Sequence, residues 1–414
     1  MSQRHAVIIG GGAAGFFAAI TCAEASPATQ VTLLEKGQQF LSKVRISGGG
    51  RCNVTHACFE PDRLITFYPR GGAALLRPFM IFQSSDTVEW FESRGVKLKT
   101  EPDGRMFPTT DSSQTVIDCL VGAARAAKVR LLNGVGVDGA KPLSSGGFEL
   151  GLHNGETMVC DALMLATGGC RAMSAGKLAT DLGHTLEPPV PSLFTFHLEA
   201  EWIKALAGIS VTNVEVSVPG QDLTERGPIL LTHQGLSGPA VLKISAWGAR
   251  KLHRLNYRFP IHINWMGGGG SQEVITASLA DLADRHPARF VVNTTLPQIP
   301  SRLWQSLVLQ AGISGETRWA SVNRSLRHRL IQQLFRTELH VVGKTLNQEE
   351  FVTCGGVRLG EVNFKTMESR KVPGLYFGGE ILDIDGVTGG FNFQSAWTTG
   401  WIAGNSMAKF LSHK

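Results

Sequence analysis

The sequence has no C-x-x-C pair. Its seven cysteines, at positions 22, 52, 58, 119, 160, 170 and 354, form an odd and scattered set. That spacing argues against a disulfide framework, a zinc site and a dithiol redox centre, so reduced and mostly packed thiols are expected, and no metal. Long apolar runs are absent too: nothing approaches the roughly 18 uncharged residues needed to span a bilayer. The N-terminus lacks a secretory layout, because Met1 to His5 leads directly into a strand and a glycine turn. A cytoplasmic location with no membrane partner is the expectation. Charge is modest at 18% of residues, with 40 Lys and Arg against 34 Asp and Glu, a formal net charge of +6. Such an excess attracts anionic cofactors or substrates. No basic stripe interleaved with aromatics stands out, so no nucleic-acid partner is expected. Nothing in the sequence specifies an oligomeric state.

Glycine, by contrast, is plentiful. The 414 residues include 48 of them, and tight turns and close backbone approaches of the kind nucleotide-binding loops require are what glycine supplies. A chain of this length exceeds the size of one hydrophobic core, so two or three domains are expected. Residues 6–9 are a short apolar run typical of a strand buried on both faces of a parallel sheet. Gly10-Gly11-Gly12-Ala13-Ala14-Gly15 follows, then an Ala-rich helical stretch from Phe16 to Ala25, then a strand over 31–34 that ends on Glu35. This is a β-α-β unit, and its G-x-G-x-x-G turn sits in the context a dinucleotide requires. Gly10 permits the turn, Gly12 lets backbone approach a pyrophosphate, and Gly15 lets helix pack on strand. The helix N-terminus offers unpaired N–H groups to phosphate. Glu35, followed by Lys36, is placed to accept from ribose hydroxyls.

The turn alone does not choose between FAD and NAD, but three later segments do. Ala166-Thr167-Gly168-Gly169 ends a buried strand, as where a flavoprotein chain returns to its nucleotide. Gly374 to Glu380 ends a second such strand on an acid, and Gly389-Gly390-Phe391-Asn392-Phe393 opens the last helix. The Gly379-Glu380 end resembles the Gly-Asp segment of glutathione-reductase-type flavoproteins. Such flavoproteins aim the last helix N-terminus at the isoalloxazine, here at Gly390, Phe391, Asn392 and Phe393. FAD held non-covalently is the expected cofactor.

Helical periodicity is expected over 82–94 and 113–127, with strands near 95–99, 129–137 and 147–152. Pro188, Pro189 and Pro191 mark a boundary. Short alternating runs over 192–264 suggest a small antiparallel sheet or barrel. Gly267 to Gly270 reads as a hinge, and 272–334 as a helical insertion.

More specific matches run through nearly the whole chain: Ser47-Gly48-Gly49-Gly50-Arg51-Cys52-Asn53, Gly104 to Pro108, Thr232 to Pro239, Thr353 to Val357, Thr366 to Ser369, and Gly378 to Gly390. On these the sequence resembles the BaiN-type flavoproteins, which include aminoacetone oxidase-like enzymes and a bile-acid reductase. The resemblance implies an α/β fold: a Rossmann-type FAD-binding domain (1–190 and 352–414), an inserted β-barrel-like domain (191–268 and 333–351), and a helical subdomain within that insert (269–332).

In the Ser47 to Asn53 loop the glycines let backbone approach the flavin or its phosphates, and Arg51 is the candidate for a charged ligand contact, with a loop-stabilising salt bridge as its plainer role. Lys43 adds to the same electropositive pocket. Cys52 is expected to be a packed thiol. Gly355 is expected to return backbone to the flavin. His233, in the inserted segment, could orient substrate or transfer a proton, since His titrates near neutrality, or be structural. Together these point to an FAD-dependent oxidoreductase acting by hydride transfer on a small organic substrate. No second nucleotide unit is visible, so if NAD(P)H reduces the flavin it visits transiently. The alternatives are an amine-type oxidase passing electrons to oxygen, and a non-catalytic flavin-binding accessory protein.

Overall fold

A computed structural model describes residues 3–170, 173–345 and 352–413. The chain divides into two compact units, Met1–Pro191 with Gln348–Lys414, and Ser192–Asn347.

The first unit is built on a seven-stranded sheet. Strand β1 (His5–Ile9) is an interior strand beside the middle one, followed in the chain by helix α1 (Ala13–Ala25) and strand β2 (Gln30–Glu35). β1 pairs in parallel with β2 and with Ala162–Leu165, and the latter pairs in parallel with Leu375–Phe377. Arg130–Asn133 extends the other side, beside β2. Glu368–Ser369 and Val362–Asn363 close the first edge antiparallel. The central strands are buried on both faces, which explains their unbroken apolar sequences. α1 is nearly all small or aromatic and packs along the C-terminal helix, Phe391–Ser412. Gly400 and Gly404 of that helix abut the backbone of Ala14 and Ala18, a closeness no side chain would permit.

The second unit is a closed barrel of six strands. Helices Gln272–Arg285, Ser301–Gln310 and Arg324–Phe335 share its apolar core, in which Trp265, Trp304 and Trp319 are buried. Two expectations change. Gly267–Gly269 is a packed 3-10 turn, not a loose hinge: Gly267 abuts Asn213, and Asn264 Nδ2 donates to Gly270 O at 3.0 Å. The antiparallel stretch also carries three short helices, Glu201–Lys204, Pro239–Trp247 and Ala249–Arg254. No helix among the described residues is long and apolar enough to cross a membrane, and none of their His, Cys, Asp and Glu side chains cluster as a metal site.

Candidate cofactor-binding site

The three glycines of the first turn separate by environment. Gly10 has φ +114°, and a Cβ there would overlap the Ala166 carbonyl at the end of the neighbouring strand. A Cβ on Gly15 would overlap the Gly10 carbonyl. Both are glycine because backbone meets backbone. Gly12 differs: a Cβ there would meet no protein atom within 4 Å. It is the N-cap of α1, and no side chain caps that helix. An uncapped N-terminus beside an open glycine is the cradle a pyrophosphate fills. Glu35 ends β2 with its carboxylate accepting from Gly11 N at 2.8 Å and Gly37 N at 2.7 Å. The two backbone bonds fix its orientation. Lys36 beyond it is exposed.

Further open backbone lies at Gly49 and Gly50, both in left-handed conformation, and at Gly168, where a Cβ would again meet nothing. The segment Ser42–Gly50, helix α2, is helical only at its start, since Ser47, Gly48 and Gly49 leave helical geometry. Ser47 Oγ donates to Val44 O at 3.0 Å, and Gly48 packs on Phe107 and Asn53. Arg51 pairs with Glu101 at 2.7 Å and reaches Asp111, and its guanidinium lies 4.0 Å from the centre of the Phe107 ring. Burial pushes the Cys52 thiol up to about 12, so at neutral pH it is neither nucleophile nor thiolate.

Residues far apart in sequence meet around Glu380. Its carboxylate pairs with Lys43 and accepts from Thr353 N at 2.9 Å, and its side chain is 18% exposed. Gly169 abuts both Thr353 and Glu380, and Gly379 (φ +73°) abuts Ala14 in the first turn of α1. Gly168, Gly169, Glu380, Lys43 and Ala14 thus belong to one neighbourhood. Gly355 has its open side taken by the Pro188 and Pro189 backbone. Thr167 is half-buried beside Gly168.

A second neighbourhood forms where the C-terminal helix begins. Its N-cap is Gly390 (φ +93°), and no side chain caps its first turn. With its amide turned to satisfy both bonds, Asn53 accepts from Gly390 N at 2.9 Å and donates to Thr55 O at 3.0 Å. Asn392 accepts from Gly386 N at 2.9 Å and donates to Gly386 O at 2.8 Å. Phe391, Phe67 and His56 form a three-ring cluster, with Phe391 4.3 Å from Phe67, 4.7 Å from His56, and those two 5.8 Å apart by centroid, and Phe393 stacks on Trp397. Tyr68 Oη donates to Phe391 O at 2.6 Å. Gln394, fully buried, accepts from the Thr55 and Thr87 hydroxyls and donates to Thr398. Arg70 forms a two-pronged ion pair with the fully buried Asp385. Sequence reasoning gave no role to His56, Phe67, Tyr68, Arg70, Asp385 or Gln394, although Asp385 lies within the Gly378 to Gly390 segment and Gln394 directly follows the glycine-rich helix start. The signal that existed for Arg70 and Asp385 was charge in otherwise apolar surroundings. His233 is exposed in the turn between two barrel strands of the second unit.

The residues fit FAD. An uncapped helix N-terminus, an acid at the end of β2, and open glycines at 12, 49, 50 and 168 leave space for a dinucleotide and supply its donors.

A family model described as the HI0933-like protein Rossmann domain matches residues 4–406. The chain is 32% identical to a ribosomal RNA dihydrouridine synthase of Escherichia coli K12, over 98% of both chains. It is 30% identical to a 3-dehydro-bile acid delta(4,6)-reductase of Clostridium scindens, over 97% of this chain and 98% of that one. Among solved structures, a flavocytochrome c3 fumarate reductase aligns with TM-score 0.52 at 16% identity, covering 99% of this chain and 79% of that one. A 3-ketosteroid-delta4-(5alpha)-dehydrogenase of Rhodococcus jostii RHA1 aligns with TM-score 0.52 at 13% identity, over 99% and 98%. These structural likenesses establish the fold.

Proposed function

Because the chain belongs to the HI0933-like Rossmann-domain family of FAD-dependent oxidoreductases, we propose that it saturates a carbon–carbon double bond conjugated to a carbonyl, with uracil in RNA as substrate and NAD(P)H as electron donor. The observation that carries this reading is a pair of relatives, each aligned over nearly its whole length, whose names describe one type of reaction on unlike molecules. Making dihydrouridine adds two hydrogens across the ring double bond of uracil, conjugated to a carbonyl. A delta(4,6)-reductase acting on a 3-oxo steroid saturates a double bond conjugated in the same way. In this chain, FAD once bound and reduced by NAD(P)H would supply the hydride, with a proton completing the addition.

The chain's own residues account for binding and electrostatics. The first turn of α1, entered through Gly12, would hold the pyrophosphate, and Glu35 the adenosine ribose. Lys43 and Glu380, locked to each other and to Thr353, would border the phosphate–ribityl stretch. The uncapped first turn at Phe391 presents N–H groups and positive dipole, which favour negative charge beside them. His233 remains the candidate proton-transfer group, and Arg51 the candidate substrate contact once its carboxylate partners are displaced.

The favoured substrate departs from the small molecule expected of the sequence, and assay decides between them. Under anaerobic conditions, flavin bleaching by NADH or NADPH, followed by reoxidation with a uridine-containing ribosomal RNA fragment and recovery of dihydrouridine by mass spectrometry, is the expected result. Reoxidation by a 4,6-dien-3-one steroid but not by RNA would transfer the reading to the second relative's chemistry. Bleaching by small amines and by neither nicotinamide would overturn it in favour of an oxidase.

A further inference from the structure

Between Glu225 and Glu273 the chain carries no carboxylate side chain. The same stretch holds Arg226, Lys243, Arg250, Lys251, Arg254 and Arg258, and these equal the whole formal net charge of +6. The rest of the chain holds equal numbers of acidic and basic residues, and of these six Arg226 is paired with Glu215 at 2.6 Å. From this placement we infer that the two short helices of the barrel unit, Pro239–Trp247 and Ala249–Arg254, form a docking surface for single-stranded or looped RNA, a step that rests on the RNA reading above.

The packing shows why this face is available. Ala240, Val241, Ile244, Ala249 and Leu252 are buried against the barrel. Trp247 ends the first of these helices, Lys251 and Arg254 lie one turn apart on the second, Arg258 follows its end, and all four are exposed. Trp247 keeps 41% of its surface in solvent. Among the described residues, Lys251, Arg254 and Arg258 have no ion pair with a carboxylate. Lys251 Nζ donates to the Gln221 carbonyl at 2.8 Å, which positions it without neutralising it. Beside them His253 Nδ1 lies 3.1 Å from the Tyr257 hydroxyl, and Lys344 sits 4.3 Å from the Tyr257 ring centre. Arginines elsewhere in this unit are more committed: Arg285 pairs with Asp281, and Arg318 caps the Ala288 carbonyl.

An open cleft of about 280 Å³ adjoins the tryptophan, lined by Asp222, Leu223, Thr224, Glu225, Ile244, Trp247 and Lys251. Its lining is of mixed sign, with Lys251 beside two carboxylates, while Arg254 and Arg258 lie outside it. The carboxylates of Asp222 and Glu225 repel phosphate and accept from base N–H groups. Lys251, Arg254 and Arg258 attract phosphate. A strand running along the basic side can stack a base on Trp247 and turn its edge toward the acids, a combination suited to unpaired nucleotides. An anionic membrane would find no acceptor role for those acids and only one exposed aromatic to insert.

The test uses full-length protein with FAD bound and a fluorescent single-stranded RNA cut from ribosomal sequence, titrated at several salt concentrations. Variants are Trp247→Ala, the triple Lys251→Ala, Arg254→Ala, Arg258→Ala, and Arg324→Ala, an exposed charge on another helix, as control. The triple variant should lose about 2 units of the slope of log affinity against log salt, at about 0.7 per phosphate contact on single strands. Trp247→Ala should bind about tenfold more weakly with the parental slope, as loss of one stacked base requires. FAD content and flavin spectrum should stay parental in all variants. Affinity and slope unchanged in the triple variant would sink the docking surface while leaving the substrate reading intact, provided the parent still forms dihydrouridine. Equal loss in the Arg324→Ala control, or equal binding to anionic phosphatidylserine vesicles, would also overturn it. A parent that neither binds nor modifies RNA would remove the substrate reading and the surface with it.

Discussion

At the scale of single residues, Gly12 and Gly15 make opposite claims that a pair of substitutions can separate. Gly12 has φ −91°, which any residue adopts, and open space where a side chain would go. Gly12→Val should therefore leave the apo fold and its thermal midpoint near parental values while abolishing yellow colour, because the side chain occupies the pyrophosphate's place. Gly15→Ala pushes into the Gly10 carbonyl and should cost about 1–3 kcal/mol of stability, the usual range for overpacking. Chemical denaturation and the flavin absorbance of each purified variant check both. A Gly12→Val protein that retains stoichiometric FAD would move the phosphate site elsewhere. Asn392 shows the limit of reasoning from residue type alone. Its two bonds to Gly386 need both a donor and an acceptor, so Asn392→Asp would set a carboxylate against a carbonyl and loosen the loop before the helix, rather than only add a charge.

Among elements, what could be read from sequence is what closes over short distances. The β1–α1–β2 unit completes itself within about 30 residues, the span a crossover needs, and its glycines and Glu35 each mark a fixed step of the turn. The paired neighbourhoods could not be read. Lys43 meets Glu380 across 337 positions, and Thr55 meets Gln394 across 339, so no window holds both partners. Gln394 was visible only as a polar residue early in a helix. Burial changes its meaning, since a fully buried amide must find partners, and its partners tie Thr55, Thr87 and Thr398 to one point. Gln394→Leu should thus cost about 2–4 kcal/mol by urea unfolding, from stranded hydroxyls at roughly 1–3 kcal/mol for each unsatisfied group, partly offset by apolar burial. A loss under about 0.5 kcal/mol, the scale of an ordinary surface change, would mean those hydroxyls find other partners. The same helix start holds Asn53 and Tyr68, so FAD affinity should fall along with stability if this element borders the flavin.

For the whole molecule, acid sensitivity is the property that buried histidine should dominate. His184 is buried between Glu361, whose Oε2 is 3.1 Å from Nδ1, and Ser369, whose Oγ is 2.9 Å from Nε2. The order Ser–His–Glu resembles a hydrolase triad, but the Ser369 hydroxyl already accepts from Lys371 N and Val372 N and lies buried, leaving no lone pair for attack. With those acceptor positions filled, the hydroxyl donates to Nε2, and His184 is neutral with its proton on Nδ1. The chain of bonds ties the turn at 184–185 to the antiparallel sheet edge, with Lys371 bridging to Glu361 at 2.6 Å. Burial holds the His184 pKa below its ordinary value, against the pull of Glu361. Glu361 is pushed up by burial, but bonds from Lys371 and Thr185 and the Lys371 charge outweigh this and hold it at about 2. Both shifts have one sign. The folded state resists protonation that the unfolded chain accepts, so stability is complete above pH 6.5 and falls below it through His184. A further loss enters below about 4.5, as Glu361 protonates in the unfolded chain first. His5 and His56, also depressed chiefly by burial, add to the first step. His184→Gln keeps an acceptor for Ser369 and a donor for Glu361 without a titrating ring. It should lower stability at pH 7.5 through poorer packing, yet flatten the decline between pH 6.5 and 5 by up to about 1.4 kcal/mol per pH unit, the share of one proton. Urea unfolding of parent and variant at half-unit pH steps measures this. Parallel curves would show that the acid-sensitive proton belongs to another group.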